Sequence, residues 1–299
     1  MTDADPQRVA CMQALLADIG QRLASGELAA PEAVCLAVEC MENEPLYNAG
    51  RGSVLDAEGN ISMDASIMRG HDQAAGSVVG LQSSRHPVRA AERLMENGWP
   101  VMLAGPAGDV FAAENGVEQV EKAWLETQLR RAQWDKWRRE RLRPGATDEE
   151  DALLDHDAEH DGWGTVGAVA LDANGNLAAA TSTGGMTGKP PGRVGDTPII
   201  GAGTWADRNI AVSCTGVGEA FIRTAAAHAV ASFHQDRSLE AAAEAMLDLV
   251  EPLGGRGGVI AVNRKGEVVM PFRTMLMYRG WYRDGAVDVG IGPSFLQSS

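Results

Sequence analysis

Apolar residues in the first forty positions gather on one side of a 3.6-residue turn. Val9, Met12, Leu15, Leu16, Ile19 and Leu23 follow the i, i+3, i+4, i+7 spacing of a helix with one buried face. PEAVCLAVECMEN keeps that period and opens with Pro31, which suits a first helical turn because an N–H there has no intrahelical partner to lose. The period then falls toward two. SVLDAEGNISM, VALDANGNLAAATS and VIAVNRKGEVVMPF each place apolar runs around an Asp/Asn and Gly turn, which reads as a hairpin. Leu55-Asp56-Ala57-x-Gly59-Asn60 is echoed at Leu171-Asp172-Ala173-x-Gly175-Asn176, which predicts similar turns and no tandem repeat. Helical periods return at HPVRAAERLMENG, EAFIRTAAAHAVASF and SLEAAAEAMLDLVEPLGG. Helices and hairpins come in separate blocks, without regular strand–helix alternation. The pattern predicts antiparallel sheets covered by helices, an α+β architecture.

The middle of the chain breaks this rhythm. From about Val117 to Leu142 the pattern predicts one long helical stretch carrying Trp124, Trp134 and Trp137. It ends in a basic run of Arg130, Arg131, Lys136, Arg138, Arg139, Arg141 and Arg143. Residues 144–161 then hold eight acids and no Lys or Arg. Like charge with little apolar surface to bury predicts a mobile interior linker over about 144–162, with the basic helix exposed and facing it. Strand-like sequence resumes abruptly at Gly164-Thr165.

Composition narrows the function classes. The 299 residues carry a net charge of −15, which argues against phosphate-backbone binding or attraction to anionic lipid. Four Cys in a chain this long do not imply a disulfide scaffold, and the lack of a CxxC pair excludes a zinc ribbon or thioredoxin-like motif. No signal-peptide pattern or membrane-length apolar run is present, so a reduced, cytoplasmic setting is expected. Gly is in excess, at 35 residues, and lets backbone approach backbone or ligand.

Most short motifs read as structure. Gly201-x-Gly203-x-x-Ala206 lacks the helix a dinucleotide fingerprint needs, and Gly254–Gly258 leads into a strand without a P-loop lysine. His156 and His160 stand four apart, but within the charged linker. The hydroxyl cluster points further. Gly164-Thr165-Val166-Gly167 opens one strand, Thr181-Ser182-Thr183-Gly184-Gly185 closes the next, and Ser213-Cys214-Thr215-Gly216-x-Gly218 closes another. Three strand ends running into glycine gather hydroxyls and bare amides at one sheet edge. Between them, Arg193 and Asp196 in a glycine-flanked loop suit a carboxylate and an ammonium, as an α-amino acid presents.

At these residues the sequence resembles the plant-type L-asparaginases, or isoaspartyl (β-aspartyl) peptidases, of the N-terminal-nucleophile (Ntn) hydrolase superfamily. The resemblance spans about residues 8–290. It is densest in NAGRGSVLDAEGNISMDASIM and in GTVGAVALDANGNLAAATSTGGMTGKPPGRVGDTPIIGAGTWAD, and continues through SCTGVGEAFIR, GGRGGVIAVNRKGEV and PFRTMLMYRGW.

The resemblance implies a single domain over 1–299, a four-layer αββα sandwich that cleaves itself between Gly164 and Thr165. The products would be an α part, 1–164, with its linker, and a β part, 165–299. Thr165 would be the nucleophile, its freed amine the base, Thr183 the second threonine that orients it, and Thr215 with Gly216 the oxyanion hole. Arg193, Asp196 and Gly218 would hold the substrate's α-carboxylate and α-ammonium, with Asn48 near the nucleophile. Met41, Glu42, Glu44, Tyr47, Ala49 and Arg51 would offer backbone carbonyls to a structural sodium ion. No organic cofactor, nucleic acid or membrane is implied. The substrate would be L-asparagine or an isoaspartyl dipeptide releasing aspartate, and the assembly a homodimer of processed αβ units, a heterotetramer. A glycosylasparaginase-like amidase and an unprocessed, inactive binder of aspartate-like ligands are the alternatives. Three departures stand out. The family's first strand, with His-Gly-Gly-Ala-Gly, is missing. Arg273 and Met275-Leu276 replace the family's Asn and Glu-Gly, and Arg51 stands at a usually apolar position.

Overall fold

The computed structural model describes residues 5–141, 164–293 and 295–296, so the acidic linker with His156 and His160 lies outside the described residues. The two opening helices form where the period places them, α1 over Asp5–Ala24 and α2 over Ala30–Asn43. Strands β1 (Met63–Arg69) and β2 (Ala75–Leu81) follow, then α3 (Pro87–Asn97), β3 (Met102–Ala104) and α4 (Pro106–Glu114). Gly98 closes α3 in the left-handed conformation, which a residue without Cβ adopts at little cost.

The single long helix expected over 117–142 is two helices, α5 (Lys122–Leu125) and α6 (Gln128–Arg141). Glu126 is extended between them, and the Thr127 hydroxyl accepts the Arg130 amide at 3.2 Å to start α6. Nor is α6 simply exposed. Arg130 and Trp134 are 1% and 7% exposed. The Arg130 guanidinium donates to the Gly52 carbonyl at 2.6 Å, and the Trp134 indole to the Asp56 carbonyl at 2.7 Å. Arg131 and Arg138 lie over the Trp134 ring, so the aromatic–basic run ties this helix to the loops ahead of β1.

Strands β4 (Val166–Leu171) and β5 (Leu177–Thr183) complete a sheet of order β3-β2-β1-β5-β4, antiparallel except for the β2–β3 pair. A second, antiparallel sheet runs β6 (Thr204–Ala206), β7 (Ile210–Gly216), β8 (Gly257–Asn263) and β9 (Val268–Val269). Helices α7 (Gly218–Thr224), α8 (Ala226–Phe233) and α9 (Leu239–Val250) lie between β7 and β8 in sequence. The continuous helix read from EAFIRTAAAHAVASF is broken at Ala225, whose φ of 48° is left-handed. A small third sheet ends the described chain: β10 (Arg279–Arg283), β11 (Ala286–Gly290) and β12 (Phe295–Leu296).

Helices α2 and α3 pack on the first sheet, α8 and α9 on the second, and β5 and β4 face β7 across the gap between sheets. That gap holds small residues. Ala179, Ala206 and Ala211 are fully buried there beside Met68, Leu177 and Val262. A run of hydroxyls crosses it as well: Ser213 reaches Thr181 at 2.8 Å, Thr181 reaches Thr204 at 2.6 Å, and Thr204 reaches Ser66 at 2.7 Å. Ser66 donates onward to the Thr197 carbonyl at 2.6 Å. Ser66 is also the donor toward Thr204, so its single proton serves two acceptors.

The predicted hairpins divide. β4–β5 and β8–β9 are hairpins, whereas SVLDAEGNISM forms only the Leu55–Ile61 bridge. All three share one turn. Asp56, Asp172 and Asn263 each accept, through Oδ1, the amides two and four residues on. This side-chain turn is the physical basis of the echoed sequence.

Candidate active site

The hydroxyls expected at one sheet edge come instead from strand ends of two facing sheets. Thr165 directly precedes β4, and Thr183 ends the paired strand β5. The Thr165 hydroxyl donates to the Thr183 Oγ1 at 3.2 Å, and the Gly185 amide donates to the same oxygen at 3.0 Å. Gly164 has φ of 138°. Thr215 and Gly216 end β7, and together with Gly164 and Thr165 they line one cavity of about 820 Å³. Gly216 has φ of 150°, and a Cβ there would collide with the Arg256 carbonyl, so its amide can be presented only by glycine.

Asn48 acts through the turn after Thr183. Its Nδ2 donates to the Gly185 carbonyl at 2.7 Å, its Oδ1 accepts the Val54 amide at 3.0 Å, and its own carbonyl accepts the Gly184 amide at 2.9 Å. Its side chain thus holds the backbone that presents Thr183.

Arg193 and Asp196 sit in the loop between β5 and β6. A Cβ on Gly218 would lie 2.9 Å from the Asp196 amide, so the start of α7 and this loop touch through glycine. Asp196 is 4% exposed, and its Oδ2 has no hydrogen-bond partner among the described residues. Burial pushes its carboxyl up to about 7, opposed by neighbouring backbone amides and the Arg193 charge. An arriving ammonium would reverse that. The Arg193 fork is already engaged: Nε and Nη2 donate to Glu219 at 2.8 and 2.9 Å. A substrate carboxylate must share the guanidinium with Glu219 or displace it.

Residues without a role in the sequence reading also stand here. Asp64 pairs in register with Thr183, accepts the Gly80 amide at 2.9 Å and is buried. Burial raises its pKa, and Lys189 offsets part of the rise. Lys189 donates to the Ser62 carbonyl at 2.7 Å, and burial lowers its pKa against the pull of Asp64. On the opposite face of β5, the Ser182 hydroxyl donates to the buried Glu42 carboxylate at 2.6 Å. Glu219 lies inside one of the resembling blocks and Glu42 is expected only for its backbone carbonyl; nothing in their spacing identifies these side-chain partners.

At the end of α2 and just after it, the Met41, Glu42 and Glu44 carbonyls accept the amides of Glu44, Arg51 and Tyr47. The carbonyls of Tyr47, Ala49 and Arg51 accept no backbone amide among the described residues. No cluster of His, Cys, Asp or Glu suited to a metal occurs among the described residues, and no helix there is long and apolar enough to cross a membrane.

The model of the asparaginase family matches residues 2–291. The chain is 43% identical to an isoaspartyl peptidase of Escherichia coli over 274 residues, covering 89% of this chain and 83% of the relative. A Salmonella typhimurium isoaspartyl peptidase is 42% identical, covering 92% and 88%. An isoaspartyl peptidase/L-asparaginase of Mus musculus is 41% identical, covering 91% and 81%. With its matched blocks in order and its threonines at strand ends of two facing sheets, the chain belongs to the asparaginase family of Ntn hydrolases.

Proposed function

We propose that the chain is an autoprocessing threonine amidohydrolase that releases L-aspartate from isoaspartyl dipeptides and from L-asparagine. The observation that carries this is Thr165, directly after Gly164, with its hydroxyl 3.2 Å from that of Thr183 and in one cavity with Thr215 and Gly216. In the intact chain the Thr165 hydroxyl attacks the Gly164 carbonyl. The acyl group passes from nitrogen to oxygen, and water hydrolyses the ester. Residues 1–164 and 165–299 separate, and Thr165 gains a free amine.

That amine, with a pKa near ~8, takes the hydroxyl proton as the oxygen attacks the side-chain amide carbonyl of the substrate. The oxyanion is held by the Thr215 hydroxyl and the Gly216 amide, where a well-placed donor is worth about 3 kcal/mol. The proton passes to the leaving amine, and water then releases aspartate from the Thr165 ester. Arg193 binds the α-carboxylate, and Asp196, with the Gly218 carbonyl, binds the α-ammonium. Thr183 orients the nucleophile, and Asn48 holds the turn beside it.

The fold is read as a four-layer αββα sandwich, in which a further strand ahead of α1 would pair along β4. Support comes from β4 being an edge strand among the described residues, with the cavity running between it and α1. Sodium bound by the Tyr47, Ala49 and Arg51 carbonyls would stiffen the loop carrying Asn48. The processed αβ unit is read as pairing with a second copy. Free cysteines suit a reducing, cytoplasmic setting.

Denaturing gels and mass spectrometry test the reading. Wild type is expected as two fragments split at Gly164/Thr165, active on β-Asp-Leu. Thr165→Ala is expected to stay whole and lose at least about a thousandfold in kcat. A whole, inactive wild-type chain that binds aspartate by calorimetry would make this a binding protein instead. Faster turnover of a glycosylated asparagine than of β-Asp-Leu would move it to the glycosylasparaginases.

A further inference from the structure

Self-cleavage poses a proton problem that later turnover does not. Until the bond after Gly164 breaks, the Thr165 nitrogen is an amide and no base, so the hydroxyl proton must leave by another route. That route begins at Thr183, whose Oγ1 accepts the Thr165 hydroxyl at 3.2 Å and the Gly185 amide at 3.0 Å. Those two bonds fill both acceptor positions of a hydroxyl and leave its own proton to be given away. In this structure Thr183 donates it to no group among the described residues.

Asp64 stands beside it. Strands β1 and β5 pair Asp64 with Thr183 and Ser66 with Thr181. The Ser66 and Thr181 hydroxyls both reach Thr204 in the gap between the sheets, so alternation turns Asp64 and Thr183 to that same face. Directly opposed residues have Cβ atoms about 5 Å apart, within reach of a carboxyl and a hydroxyl through side-chain rotation. Asp64 is 1% exposed, and its Oδ1 accepts the Gly80 amide at 2.9 Å. Its Oδ2 is buried with no hydrogen-bond partner among the described residues. The bond to Gly80 comes from a bulge: the β1–β2 register shifts between Met63 and Ala65, and Gly80 has φ of 70°. A carboxylate that only anchored this bulge would need one oxygen. Burial makes the group a stronger base than an ordinary Asp, opposed by the Lys189 and Arg193 charges that act on it.

We infer that Asp64 receives, through Thr183, the proton that Thr165 gives up in self-cleavage. This rests on the autoprocessing reading above. As the Thr165 oxygen bonds to the Gly164 carbonyl carbon, its proton passes to the Thr183 oxygen and the Thr183 proton to Asp64 Oδ2. The carbonyl electron pair moves onto the carbonyl oxygen. When that pair returns, the bond to the Thr165 nitrogen breaks. The proton comes back from Asp64 through Thr183 to that nitrogen, and Asp64 is ionised again. Water then splits the ester into the Gly164 carboxylate and the Thr165 hydroxyl. From there the new amine is the base, so Asp64 matters more to the first event than to those that follow. Asp64 touches neither reacting atom and acts only by way of Thr183.

The test follows cleavage at Gly164/Thr165 on denaturing gels, in chain freshly made by cell-free translation and exchanged into buffers from about pH 5 to 9. The wild-type rate should climb with pH and level off below about pH 8, as a titrating carboxylate requires. A rate still rising about tenfold per unit at pH 9 would assign the proton to hydroxide and overturn the inference. Asp64→Asn should be cut at least about a hundredfold more slowly, with turnover of β-Asp-Leu per cleaved molecule falling less than about tenfold. Equal losses in cutting and turnover would leave Asp64 a structural role alone, and cutting within tenfold of wild type would leave it no role in the step. Should Asp64→Asn fail to fold, the wild-type pH profile decides. A wild type never cut removes the autoprocessing reading and this inference together. One that is cut but leaves β-Asp-Leu and asparagine intact overturns the hydrolase reading alone.

Discussion

Asp196 is a carboxyl held out of water, with one oxygen unpartnered and an ionisation pushed up to about 7 by burial. In an unfolded chain the same group ionises near ~4. Between those two values the native state holds the extra proton, so this residue's contribution to stability falls as pH rises through the window and stays low above it. An α-ammonium that pairs with the ionised carboxylate removes that penalty. Aspartate should therefore raise Tm more at pH 8 than at pH 5.5, and the KM for asparagine should climb, by up to about tenfold per unit, as pH falls below 7. Thermal scans and initial rates across that range check both. A pH-independent shift in Tm would show that Asp196 does not meet the ammonium. In Asp196→Asn the difference between the two pH values should vanish.

At the scale of elements, one turn recurs with different loads. Asp56 and Asp172 each accept two amides through Oδ1, but the buried Asp172 also accepts the Ala30 amide, through Oδ2 at 3.2 Å. It thereby satisfies a donor at the start of α2, across the face of the first sheet. Asp172→Ala should cost about 2–3 kcal/mol in urea unfolding and Asp56→Ala about 1–2 kcal/mol. The reverse order would mean that the bond to α2 carries no weight. The Ser238 hydroxyl, which accepts the Ala241 amide at 3.2 Å, caps α9 alone. Ser238→Ala should cost about 1 kcal/mol and leave substrate ranking alone.

Across the whole molecule, the site depends on how two sheets face each other. Thr183 ends a strand of one and Thr215 a strand of the other, two residues beyond Thr181 and Ser213, whose hydroxyls meet between the sheets at 2.8 Å. The same chain of hydroxyls ends on the Thr197 carbonyl, next to Asp196. It thus links nucleophile strand, oxyanion strand and binding loop. Thr181→Val leaves its neighbours short of partners in a dry layer and should cost about 1–3 kcal/mol by urea unfolding, since a buried unmet hydroxyl loses its water without replacement. A cost near zero would show that the remaining hydroxyls re-pair without it.

The sequence by itself determined the turns, the opening helices, the hairpins at 171–177 and 262–268, and which strand ends carry hydroxyl and glycine. Each of these rests on neighbours in the chain: an Asx side chain and the next amides, a helical period, a strand alternation. Residue order within recognised blocks also marked Thr165, Thr183, Arg193, Asp196, Thr215 and Gly216. Tertiary structure decided the rest. The 117–142 region breaks in two because Arg130 and Trp134 find carbonyls 78 positions away. Arg193 meets Glu219, and Ser182 meets Glu42, through partners no local spacing reveals. Local chemistry is written in short intervals of sequence, whereas burial and partnership depend on which distant segments the sheets bring together.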